Sequence, residues 1–168
     1  MKIGIDLGTC YSVAARMQPD GSAILIPDAR DEERFHTPSV VLVSKGSAYV
    51  GALAENMVEV HPNLPIIRFF KRSLGKREEI YFDDRGTAWF ADGIGALNLP
   101  NRRFDAETES SRKVDGAVHT DPAHLNDRQR KAVAASALLA EIPLLDLIEE
   151  PVAAALHYGV QTKAHDQV

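Results

Sequence analysis

A single cysteine, Cys10, among 168 residues leaves no partner for a disulfide within the chain, and nothing calls for an oxidising compartment. No segment reaches the roughly 20 apolar residues of a membrane span. Asp6 and two early glycines interrupt the N-terminus before the apolar stretch of a signal peptide could form. A cytoplasmic location without a membrane partner is the expectation. Lys and Arg form no long stripe, and the net charge of −5 is spread with both signs interspersed, which argues against a nucleic-acid partner. Internal repeats and low-complexity tracts are also missing. What remains is a chain long enough to bury about two-thirds of its unfolded surface as one domain.

The informative feature that is present lies at the start. Ile3, Ile5 and Leu7 alternate with Gly4 and Asp6, so a strand here has one apolar face and carries Asp6 near its end. Gly8 permits a tight turn, after which the amides and hydroxyls of Thr9, Cys10, Tyr11 and Ser12 form a donor-rich lip suited to phosphate. A carboxylate beside that lip would repel phosphate, so Asp6 makes sense if hydrated Mg²⁺ or water lies between them. An ordinary hairpin, with a second strand over residues 11–17, explains the same residues without a ligand.

Further along, residues 11–17 and 23–27 flank a Pro-Asp-Gly turn at 19–21, the composition of a hairpin. A second hairpin is expected from residues 39–43 and 48–50, followed by a short helix over 52–60 that His61-Pro62 stops. After a strand at 114–120, Asn126 and Gln129 have the spacing of a capping box. Ala132, Ala135, Leu138 and Leu139 then supply an apolar stripe. Residues 144–148 form a short apolar run expected of a buried central strand. Pro151 suits a first helical turn, Gly159 suits a helix stop, and the small face of Ala153, Ala154 and Ala155 should let that helix approach the sheet closely. Two hairpins followed by strand-helix-strand-helix make a mixed α/β architecture.

Three blocks taken together carry a resemblance. They are the N-terminal run from Ile3 to Ser12, the block from Val114 to Arg130, and the block from Ile148 to Gly159. The second contains Pro122, Ala123, Asn126, Asp127, Gln129 and Arg130, and the third contains Glu150, Pro151, the three alanines, Tyr158 and Gly159. In order and approximate spacing the chain resembles the ATPase domain of heat shock protein 70 (DnaK-type) chaperones. Actins and sugar kinases share the first turn without usually carrying the later blocks, and no sugar-binding segment is found.

The resemblance implies an actin-like, ribonuclease H-like lobe that binds ATP or ADP with Mg²⁺ and couples hydrolysis to protein folding in the stress response. It implies nucleotide contacts from Asp6, Gly8, Thr9, Cys10 and Tyr11, with Asp6 reaching Mg²⁺ through water. Lys71 matches the lysine that reaches the γ-phosphate and attacking water, a role of charge neutralisation and positioning; by itself it reads as a solvated residue of a basic segment. Glu150 matches a glutamate that holds the water and metal shell. Its plain alternative is helix-dipole stabilisation of about 0.3–1 kcal/mol. Pro122 matches a proline thought to relay nucleotide state, and reads equally well as a turn residue.

Departures from the family pattern set further expectations. Cys10 stands where a second threonine is usual, and Asp121 where a small apolar residue is usual. His119 and His124 lack further nearby ligands and make no convincing metal pair. The 76–114 segment is shorter than its counterpart, and Pro100 is expected to interrupt the long helix there. The tail from Gln161 to Val168 has no strand pattern. The sequence stops before the second lobe, the substrate-binding domain and the interdomain linker, so residues 1–168 read as a partial nucleotide-binding domain, lobe I alone. Co-chaperone and client contacts would belong to the missing domains. Loss of even about 4 kcal/mol of ATP binding would weaken affinity roughly a thousandfold. The exposed cleft face would favour self-association. The alternative function is a truncated, non-catalytic remnant acting through protein association.

Overall fold

The computed structural model describes residues 1–123 and 125–165, with side chains as far as residue 159. In chain order the elements are β1 (Lys2–Leu7), β2 (Tyr11–Met17), β3 (Ala23–Ile26), β4 (His36–Pro38), β5 (Val41–Ser44), β6 (Ser47–Val50), α1 (Ala52–Val60) and β7 (Ile66–Ile67). A 3-10 turn at Phe70–Ser73 follows, then β8 (Tyr81–Phe82), β9 (Ala88–Trp89), α2 (Ala91–Ser110), β10 (Gly116–Asp121), α3 (Asp127–Leu139), β11 (Leu144–Glu149) and α4 (Glu150–His165). The mixed α/β arrangement expected from the sequence is present.

The principal sheet runs β11-β10-β1-β2-β3, with β4 also paired to β2. The pairs β1/β10 and β10/β11 are parallel, whereas β2 is antiparallel to β1, β3 and β4. The period-two reading of β1 holds: Ile3, Ile5 and Leu7 are buried, Gly4 is exposed and Asp6 is half-buried. The apolar face meets Ile94, Leu99 and Ala106 of α2 and Ala137 of α3 in one core. Because three neighbouring strands run parallel, their carboxyl ends lie along one edge, where open α/β sheets place ligands.

Where a few neighbouring residues decide an element, the structure has the element they predict. Both hairpins form, and α1 spans the expected residues. In α3 the Asn126 side chain accepts from the Gln129 amide at 3.0 Å, while the Gln129 side chain accepts from the Asn126 amide at 3.1 Å. This is the expected capping box.

Five expectations need correction. Pro100 does not interrupt α2, which runs through it for 20 residues. The missing N–H and ring clash cost about 3 kcal/mol in a helix interior, and the burial of Ile94, Leu99 and Ala106 against the sheet offsets them. In α3 the buried positions are Ala132, Val133, Ser136 and Ala137, whereas Leu138 and Leu139 are exposed. The contact with α2 is built from small residues: Ser136 Oγ donates to Asp92 O at 2.9 Å, and a Cβ on Gly95 would come within 2.8 Å of that hydroxyl. A leucine there could not fit, which explains the shift in phase.

The remaining corrections concern the end of the chain. β11 is an edge strand of the described sheet, with Leu145 45 % exposed and Asp146 breaking the apolar run. Gly159 does not stop α4: its φ is not positive, and the helix continues to His165. Ala154 and Ala155 are exposed and only Ala153 of the three is half-buried, so they do not form a close helix-sheet contact. The described part of the tail is helix, without strand, as its pattern suggests. Residues 166–168 and His124 lie outside the described residues.

Candidate functional site

The turn between β1 and β2 is as tight as glycine allows. A Cβ on Gly8 would collide with the carbonyl oxygen of Tyr11. Ser39 N donates to Cys10 O at 2.8 Å, fastening the turn to the chain just after β4. Gly8 and Thr9 are half-buried, and Cys10 and Tyr11 are exposed at the lip. The Tyr11 ring meets His36 edge-on at 5.1 Å. Ser12 is the exception to the expected lip: it is buried, and its hydroxyl pairs with that of Ser39 at 2.8 Å. It braces the turn from beneath instead of facing a ligand.

Asp6 stands beside Thr120 in the parallel register of β1 and β10. Asp6 Oδ1 and Thr120 Oγ1 are both buried atoms without a hydrogen-bond partner among the described residues. Two adjacent, unsatisfied oxygens suit a hydrated hard cation, which takes oxygen donors and keeps several waters. Thr120 was missed from the sequence because its significance comes from the cross-strand neighbour, not from its own segment.

Lys71 lies in the Phe70–Ser73 turn, which Phe69 enters with φ 57°. Its side chain is only 7 % exposed, and Nζ donates to Glu150 Oε1 at 3.1 Å. Glu150 is 41 % exposed and opens α4 directly after β11, with no intervening loop. Pro151 follows in the first turn, as expected. The fold therefore brings together the two residues suspected of chemistry although 79 positions separate them. Pro122 follows the end of β10, half-buried, and its carbonyl accepts from Leu125 N at 3.0 Å; it occupies a turn.

Asp121 is held by a neighbouring guanidinium. It is fully buried, and its Oδ2 lies 3.2 Å from Arg130 Nη1; Arg130 also donates to Leu147 O at 3.3 Å. Burial pushes its carboxyl above the usual range against the pull of Arg130, while Glu149 and Glu150 add to the rise and Lys71 opposes it. His119, on the same sheet face, is wholly buried and neutral: burial first, then the Lys71 charge, bring its pKa down to about 4. Among the described residues no group of three or more His, Cys, Asp or Glu is placed to hold a metal directly.

The family description "Hsp70 protein" matches this chain over residues 2–90 and 78–168. The chain belongs to the Hsp70 family. It is 37 % identical over 166 residues to the chaperone protein DnaK of Thermotoga neapolitana, and equally so to those of Thermotoga maritima and Thermosipho africanus. In each case the match covers 98 % of this chain and 27 % of the relative. This Hsp70 chain thus spans about a quarter of the length of the curated relatives it matches, and its mixed α/β fold is that of an Hsp70 ATPase lobe.

Proposed function

We propose that this chain is the ATP-binding lobe I of a DnaK-type chaperone, a partial nucleotide-binding domain that works with a further lobe to couple ATP hydrolysis to protein folding. The observation that carries the reading is the Lys71–Glu150 ion pair at the parallel strand ends that also present Asp6 and the Gly8 turn. Backbone amides over Thr9, Cys10 and Tyr11 hold phosphate oxygens. Cys10 adds no hydroxyl, which the amides tolerate because they do most of the holding. Lys71 neutralises charge that develops on the transferred phosphoryl, and Glu150, half exposed beside it, orients the attacking water. Asp6 holds water on the phosphate side; Mg²⁺ bound there would neutralise phosphate charge. Pro122, at the base of the connection that Arg130 ties to β10 and β11, transmits the state of the site to α3.

A cytoplasmic location, a part in the stress response, and contacts with co-chaperones and clients through domains beyond this stretch belong to the same reading. Among the described residues no helix is long and apolar enough to cross a membrane. Exposed Leu138, Leu145 and Leu156 supply apolar surface for association with a second lobe or another copy. Calorimetric titration of the chain with Mg·ATP, run beside a monodispersity measurement, tests the proposal. Micromolar binding that disappears in Asp6→Ala or Thr9→Ala supports a working half-site. No heat from a soluble, self-associating chain favours the non-catalytic alternative.

A further inference from the structure

The buried polar atoms without hydrogen-bond partners among the described residues fall into two groups, one in and beside α2 at Asn98, Arg102 and Asp105, the other at the ends of β1 and β10. The second includes both ring nitrogens of His119, a residue with no solvent exposure. A neutral imidazole has one N–H to donate and one lone pair to accept, and burying both unused is costly. An apolar side chain of similar size would fill this position without that cost.

What lies over the ring follows from its neighbours. In register, His119 stands between Ile5 of β1 and Leu147 of β11. Phe70 packs in the same core cluster as Ile5, while Leu74, just past the 3-10 turn, packs in the cluster joined by Leu147. Lys71 lies between these two anchors, on the face occupied by His119, and its charge is felt at the ring. An ammonium has three N–H groups to place. Among the described residues, Lys71 Nζ has one hydrogen-bond partner, the half-exposed Glu150. Asp121, two positions along from His119, is engaged by Arg130.

We propose that His119 is a positioning residue for Lys71. Its neutral ring accepts a hydrogen bond from one water to which the ammonium donates, and this bridge holds Nζ at the strand ends when Glu150 turns to other partners. The consequence for phosphate chemistry rests on the nucleotide-site reading above; the water bridge itself does not.

The test uses the full chain with ¹⁵N-labelled lysine, without nucleotide, reading the Lys71 ammonium resonance assigned through Lys71→Arg. In His119→Leu or His119→Met the resonance shifts and its protons exchange with solvent about tenfold faster, the loss expected for one hydrogen bond to a charged group. His119→Gln, which keeps an acceptor, restores the slow exchange. Circular dichroism identifies the variants that fold, and the two apolar shapes guard against failure of one. An unchanged Lys71 resonance in a folded apolar variant overturns the proposal. A parallel Mg·ATP titration separates the two readings: a resonance that responds in a chain that binds no ATP upholds the positioning role while the nucleotide reading fails, and an unresponsive resonance in a chain that binds ATP does the reverse.

Discussion

Lys71 and Glu150 meet across 3.1 Å with unequal burial, the lysine nearly enclosed and the glutamate 41 % exposed. Solvent at Glu150 screens the attraction, so the pair contributes modestly to stability while keeping a cation beside the strand ends. A double-mutant cycle with Lys71→Met and Glu150→Gln, followed by urea unfolding, should give a coupling of about 1 kcal/mol. A coupling near zero would mean that the two side chains do not meet in solution.

Acid should destabilise the fold through His119. Its folded pKa of about 4 lies below the ordinary 6.5, so between these values the unfolded chain binds the proton more readily. The stability is fully present above pH 6.5 and is lost as the pH falls towards 4. From pH 7 to 5 this amounts to about 2 kcal/mol. Asp121 has the opposite sign: its raised pKa favours the folded state as pH falls through that raised value towards 3.8. Urea unfolding at pH 7 and pH 5 should show the loss in the native sequence and a much smaller one in His119→Leu.

Gly8→Ala should damage the site more than the core. The added methyl meets a backbone oxygen, which cannot rotate away, so the turn must open. A loss of about 2 kcal/mol in unfolding free energy is expected, within the range of backbone-strain substitutions. Any Mg·ATP heat seen with the native sequence should vanish. Unaltered stability and binding would show that the turn has room to relax.

Pro100→Ala should stabilise the chain. Pro100 has no N–H to offer within α2, and alanine at this half-buried position supplies one. Against a gain of up to about 3 kcal/mol stands the greater freedom of the unfolded chain, about 0.4–1 kcal/mol, leaving a net gain of about 2 kcal/mol. Thermal unfolding should show a higher midpoint; a lower one would mean that the ring packs better than its geometry suggests.

The elements that could be read without coordinates are those whose determinants lie within a few residues. β1 was visible in the alternation of Ile3, Ile5 and Leu7, and the capping box in Asn126 and Gln129. Where a distant partner decides the outcome, local signals mislead. Leu138 and Leu139 are large and apolar, the residues a local pattern places in the core, yet close approach to Gly95 selects the small Ser136 face. Ser12 looked like part of the lip until Ser39 drew its hydroxyl inward.

By itself the sequence determined the tight turn at Gly8, both hairpins, the start of α3 and membership of the Hsp70 family, because short-range sterics, hydrogen bonding and motif order suffice for these. Only the tertiary structure decided that Lys71 reaches Glu150, that Thr120 stands beside Asp6, and that Pro100 stays within α2. It also decided that His119 and Asp121 are buried on one face, the latter held by Arg130. Each of these depends on strand register or on packing between segments far apart in the chain, where the free energy of burial outweighs local preference.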